Sequence, residues 1–138
     1  MTVRWLAALA IAVGLGACAQ PPPSLGDPNL DAGREVFLRV CAVCHGGEGQ
    51  GESGPALAEV LATFPACSDH RMWITLGSAR WTDEVGPTFG ATNKEITRVM
   101  PSFETVLSTE EIAQVAAFER LSFGGASADA VLADCELP

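Results

Sequence analysis

The chain has 138 residues, enough for one domain and too few for two of ordinary size. Eight Lys and Arg side chains stand against 17 Asp and Glu, a formal net charge of −9. That balance argues against a nucleic-acid binder, whose phosphate contacts need basic side chains, and favours encounter with basic protein surfaces. Aromatic residues make up only 7% of the chain while 14 positions are glycine, so something other than side chains is expected to fill part of the interior.

Met1–Arg4 is a short basic start, and Trp5–Ala17 runs thirteen residues without a charge. A bilayer crossing takes about 20 apolar residues, so this stretch has the proportions of a secretory h-region. It ends Leu15-Gly16-Ala17-Cys18, which resembles a bacterial lipobox, where cleavage leaves Cys18 to carry lipid. An ordinary export signal cut after Ala19 and a retained N-terminal anchor stay open as alternatives. On the lipobox reading, residues 1–17 are a signal peptide and 18–30 a Pro-rich tether containing Pro21-Pro22-Pro23. Residues 31–123 are then the folded domain, 124–138 a C-terminal tail, and the protein is lipid-anchored through Cys18 in the bacterial cell envelope, on the exported side of the membrane. Export permits disulfides. With Cys18 assigned to lipid and Cys41 and Cys44 acting together, Cys67 and Cys135 are left as an even remainder for a structural bridge. Two unrelated free thiols are the alternative.

Asp31 is placed to cap a helix running through Gly33, Val36, Phe37 and Val40, whose apolar members recur every three to four positions. The sharpest feature follows: Cys41-Ala42-Val43-Cys44-His45. Two thiols three positions apart lie on one helical turn, so each can add across a vinyl group of the same porphyrin. The adjacent imidazole can turn beneath the ring to ligate iron. The pattern predicts one haem c, attached through Cys41 and Cys44 with His45 as a metal ligand. A redox dithiol would open a helix after a strand, and here the preceding residues read as helix. Zinc would need a further ligand, for which His70, Cys67 and Cys135 have no defensible spacing. Gly46–Pro55 then packs five glycines into ten positions, a loop free to follow a flat cofactor, closed by Pro55 and Leu57.

At these residues the chain resembles the class I c-type cytochromes, over roughly residues 31–123. The resemblance implies an all-α fold: a cytochrome c domain of three main helices packed around one covalently bound haem. It implies that Nδ1 of His45 is hydrogen-bonded to the carbonyl of Pro55, which orients the ring. It also implies a distal methionine in a Met-Pro pair shortly before the last helix, which maps onto Met100-Pro101. The other candidates for the sixth ligand lie in a helix expected over Asp69–Leu76. There Met72 reads as core, and His70 as a solvated or capping histidine.

Ser108 and Glu111 predict a capping box, and Ile112, Val115, Ala116, Phe118 and Leu121 form an apolar stripe stopped by Gly124-Gly125. In the resembled family this helix crosses the first, so Phe118 is expected to meet Gly33 and Phe37. Minimal bacterial members have a shorter connection before the Met-Pro pair. The additional segment 78–99 is expected either to cover a haem edge or to form a partner surface. Trp73 and Trp81 are candidates to line the cofactor or donate indole N–H bonds to its propionates, with ordinary packing as the alternative. Arg71, Arg80 and Arg98 are candidate propionate partners against a solvated surface role.

With His45 and Met100 both bound, iron has no open position and inner-sphere catalysis is disfavoured. The expected function is non-enzymatic one-electron transfer, between membrane-bound respiratory complexes or as the haem c subunit of one. The expected partners are redox proteins or respiratory-complex subunits with a basic docking surface. A haem peroxidase or gas-binding protein with a labile Met100 is the first alternative. A thiol–disulfide oxidoreductase using Cys41 and Cys44 is the second.

Overall fold

A computed structural model describes residues 22–138, so the signal segment, the lipobox with Cys18 and the start of the tether lie outside the described residues. The Asp27 carboxylate accepts the backbone N–H groups of Asn29 and Leu30, which caps a helix whose first residue is Pro28. The first helix, α1 (Pro28–Val36), therefore starts before the cap expected at Asp31. A cap carboxylate followed by proline is the stronger start signal, and Asp31 lies inside the first turn, 2.9 Å from Arg34. Leu30, assigned to the tether on sequence, is fully buried, so the folded unit reaches back to Pro28.

The helix passes through a π turn (Phe37–Cys41) into α2 (Ala42–His45). The Ala42 N–H bonds the Phe37 carbonyl, five residues back, so one extra residue enters the turn and the side-chain phase shifts. Phe37 and Cys41 consequently point into the core while Cys44 stays exposed.

Four further helices and one small hairpin follow. They are α3 (Val60–Thr63), α4 (Cys67–Glu84), the strands β1 (Thr88–Phe89) and β2 (Lys94–Glu95), α5 (Thr109–Ser122) and α6 (Ala128–Asp134). The hairpin is antiparallel, with Thr88 opposite Glu95 and Phe89 opposite Lys94. The fold is otherwise all-α, as expected, built from several helices. Helix α4 runs well past the expected end at Leu76. Gly77 leaves helical geometry for a single residue (φ 65°, ψ 178°), after which the helix resumes, so that glycine is a kink and not a terminus.

Helix α5 begins with the expected capping box: the Glu111 N–H donates to Ser108 Oγ, and the Ser108 N–H to the Glu111 carboxylate. It crosses α1 closely. A Cβ on Gly33 would collide with the Gln114 carbonyl and lie 2.9 Å from the Phe118 Cβ. The Phe37 and Phe118 rings are 5.5 Å apart, so Phe118 meets both residues as anticipated. Every residue from Ile112 to Arg120 is buried, because α1 and α4 pack against α5 and α6 follows it closely.

The main core gathers Leu30, Phe37, Ile74, Val115, Phe118 and Val131. A second cluster holds Val60, Phe64, Trp73, Leu76 and Trp81, and the 78–99 segment completes it. Phe89 stacks on Trp73 with centroids 4.4 Å apart, and the Ala91 N–H donates to the Thr63 carbonyl at 2.7 Å. The Trp81 indole N–H donates to the Thr88 carbonyl at 2.9 Å. The Trp81 indole N–H is thus taken up inside the protein, and both tryptophans pack in this cluster.

Cys67 and Cys135 form a disulfide with Cα atoms 5.2 Å apart, closing a separation of 68 residues. The tail beyond residue 123 has more to hold it than that bridge. Val131 of α6 is buried, Asp134 accepts both the Cys67 N–H and Arg120, and the Pro138 carbonyl accepts the Asn29 side-chain amide.

Candidate functional site

His45 closes α2, and the loop after it folds back onto that helix end. The Gly51 N–H donates to the His45 carbonyl at 2.7 Å, and the Gly54 N–H to the Cys44 carbonyl at 2.8 Å. The return brings Pro55 to the imidazole: Nδ1 of His45 lies 2.8 Å from the Pro55 carbonyl oxygen. A carbonyl only accepts, so Nδ1 carries the hydrogen and the Nε2 lone pair is left for a metal. The loop also sits tightly on the ring, since a Cβ on Gly54 would be 3.1 Å from its Cε1 carbon.

Cys41 and Cys44 are both free, one buried and one exposed. Burial, and next the carboxylate of Glu119, pushes the Cys41 thiol far above the usual range. Cys41 is therefore a poor nucleophile as a free thiol.

Met100 lies on the segment entering α5 and packs against both cores. Its backbone is clamped by α4: the Ser78 N–H donates to the Met100 carbonyl at 2.8 Å, and the Met100 N–H donates to Ser78 Oγ at 3.0 Å. Two residues earlier, Arg98 donates to the Ser53 carbonyl at 2.6 Å, two residues before Pro55. The methionine segment and the histidine loop thus close on each other at one end of the domain.

The competing ligands are placed differently from expectation. Met72 is 40% exposed and not core. His70 is neither solvated nor a cap: it is 3% exposed, its Nε2 lies 3.1 Å from the Glu119 carboxylate, and its ring stacks on Phe64. Among the described residues no group of three or more His, Cys, Asp or Glu gathers to hold a metal, which removes the zinc alternative there. Of the three arginines, Arg71 is engaged by Glu136, and Arg80 by Glu84 and Glu104. Only Arg98 stands beside the histidine loop.

Glu119 and Arg120, each 4% exposed, were not anticipated as interior groups. A signal was available. Glu119 falls seven residues after Ile112 and four after Val115, on the same stripe, so a charge sits where periodicity demands an apolar side chain. Arg120 donates to the Phe64 and Pro65 carbonyls and to Asp134.

Residues 28–118 match the family described as cytochrome C oxidase, cbb3-type, subunit III, and the chain belongs to that family. Among solved structures it is similar to the c-type cytochrome XoxG from Methylobacterium extorquens AM1, with 21% identity and a TM-score of 0.50. That match covers 79% of this chain and 68% of the other. Cytochrome cL from Hyphomicrobium denitrificans matches at 21% identity and TM-score 0.45, covering 67% of this chain and 46% of that one. Cytochrome cL from Methylophaga aminisulfidivorans matches at 19% identity and TM-score 0.45, covering 70% of this chain and 55% of that one. The chain therefore spans about half the length of these two cytochromes cL. No curated protein matches it. Among the described residues no helix is long and apolar enough to cross a membrane.

Proposed function

We propose that this protein is a one-electron carrier holding a single haem c, bonded through Cys41 and Cys44, with His45 and Met100 as the two iron ligands. The residues present fit that group. Two free thiols lie within one helical turn, an imidazole has its tautomer set by a carbonyl, and a thioether is offered from a clamped segment. When bound, the haem supplies a ferric–ferrous couple. The chain's own residues do the rest. Pro55 fixes the direction of the His45 ring, Ser78 holds Met100 in place, and the two apolar clusters keep water from the interior.

Occupancy of both axial positions leaves electron transfer as the chemistry and catalysis at iron without a site, a non-enzymatic role. The carrier works between respiratory complexes or as the haem c subunit of one. Val43 and Val99, which precede Cys44 and Met100 in the chain, are 76% and 89% exposed, and each offers an apolar contact to a redox partner. The net charge of −9 selects a partner with a basic docking face. Cys18 tethers the domain to the envelope membrane by lipid.

The 2.8 Å contact between His45 Nδ1 and the Pro55 carbonyl carries the proposal: it leaves Nε2 free to ligate iron, on the residue that follows Cys44 in the chain. Far-red absorbance of the oxidised holoprotein tests it. A methionine–iron charge-transfer band is expected and is lost in Met100→Ala. A wild-type protein that lacks the band and takes up carbon monoxide when reduced supports the peroxidase or gas-binding alternative instead.

A further inference from the structure

We propose that His70 and Glu119 form a buried proton-binding pair that gains one proton when the haem site accepts an electron and loses it when the electron leaves. This rests on the haem reading above.

The two side chains come from α4 and α5, are 3% and 4% exposed, and meet at 3.1 Å. Nothing in electron-carrier packing calls for them, and burying an ionisable pair costs free energy that an apolar pair would not. His70 Nδ1 is buried without a hydrogen-bond partner, so the imidazole has one nitrogen able to exchange a proton with no bond to break. The groups around the pair are few. From the π turn, Cys41 faces Glu119. From α5, Arg120 is adjacent, but its guanidinium is committed to the Phe64 and Pro65 carbonyls and to Asp134, the last residue of α6. From α4, Arg71 turns away to Glu136. His70 is the cationic partner Glu119 has among the described residues, and it bears charge only when protonated.

Thioether formation strengthens the arrangement. Addition to a vinyl group moves the Cys41 thiol hydrogen onto carbon, so Cys41 no longer donates to Glu119 and His70 remains. The carboxylate then stands beside one of the two covalent attachments of the redox group, where low dielectric makes a unit change of charge strongly felt. The balance is simple: one electron arrives from the redox partner, and one proton arrives from solvent onto the pair. The new bond is a single N–H or O–H, and the net charge of the interior is unchanged.

Mediated redox titration of the haem-loaded protein between about pH 5 and pH 9 brackets imidazole chemistry. The wild-type potential is expected to fall as pH rises. A proton held tenfold more tightly in the reduced protein corresponds to a total drop of about 59 mV. Glu119→Gln preserves shape and a hydrogen bond to His70; it is expected to flatten the profile and to sit above wild type at the alkaline end. Reduced-minus-oxidised infrared spectra of the wild type carry the same information without a variant, as a deuterium-sensitive imidazole or carboxyl band. A flat wild-type profile, or a slope that survives in Glu119→Gln, overturns the pair. A protein with no covalently bound haem on a denaturing gel refutes the proposed function itself, so the two failures are distinguishable.

Discussion

Replacing Gly77 by alanine should detach the methionine segment while leaving the rest of the domain folded. Gly77 has φ 65° and ψ 178°, a region almost confined to glycine, where a residue with a Cβ is strained by roughly 1–3 kcal/mol. A Cβ here also lies 2.5 Å from Pro101 C and Ser102 N and 2.6 Å from the Met100 carbonyl oxygen. All three are backbone atoms and cannot rotate aside. The segment yields only by giving up the two backbone N–H bonds between Met100 and Ser78, worth about 1 kcal/mol each. The expected total is roughly 4 kcal/mol, strain and bonds in about equal parts. Gly125→Ala isolates the first part: it has φ 77° and nothing within 4 Å of its added Cβ, so it loses only roughly 1–3 kcal/mol. The assay is denaturant unfolding of the oxidised holoprotein, followed by circular dichroism and by the far-red band together. Gly77→Ala should lose the band well before the helices melt, or lack it from the start, while Gly125→Ala keeps it. The reasoning is refuted by an intact band in Gly77→Ala with a loss of stability no larger than in Gly125→Ala.

Two further outcomes follow from the same structure. Removing the disulfide by Cys67→Ser with Cys135→Ser should lower stability in denaturant by roughly 4 kcal/mol, the loop-closure entropy for a 68-residue separation; a change below about 1 kcal/mol would mean that α6 and its contacts already hold the tail. Glu111 is held below the usual carboxylate range by the Ser108 N–H and next by Arg39, so its contribution is present above its unfolded value and fades as pH falls through the lower folded one. Melting temperatures taken from about pH 5 down to pH 2 should therefore fall less steeply in Glu111→Gln than in wild type, and equal slopes would contradict the assignment.

The parts of the fold that sequence reasoning reached are those written in local pattern. The capping box at Ser108 needs only two residues three apart, and the crossing of Gly33 under Phe118 needs only a missing side chain on a periodic face. The π turn was not readable, because Phe37 and Cys41 look like ordinary positions of one continuous helix until the extra residue shifts their phase. The helix expected over Asp69–Leu76 stops short of Gly77, because the close approach of Met100 that decides this glycine's conformation is tertiary and leaves no local signal. Segment 78–99 looked like an unplaced insertion because Phe89 meets Phe64 and Trp73 only after the hairpin folds. His70 reads as a solvated or capping histidine, and Glu119 draws no reading at all, for a related reason. Within a single helix polar residues default to the surface, and the burial of these two exists only where α4 and α5 meet.

The account stands on covalent attachment of one haem at the turn preceding the glycine-rich loop. The intact mass of the protein, purified from an exporting bacterial host with haem-attachment machinery and measured after denaturation, tests it directly. The expected mass is that of the processed polypeptide, with any lipid on Cys18, plus one haem, with Cys41 and Cys44 both unreactive towards alkylating reagents. A mass without haem, and two thiols that alkylate at Cys41 and Cys44, would contradict it.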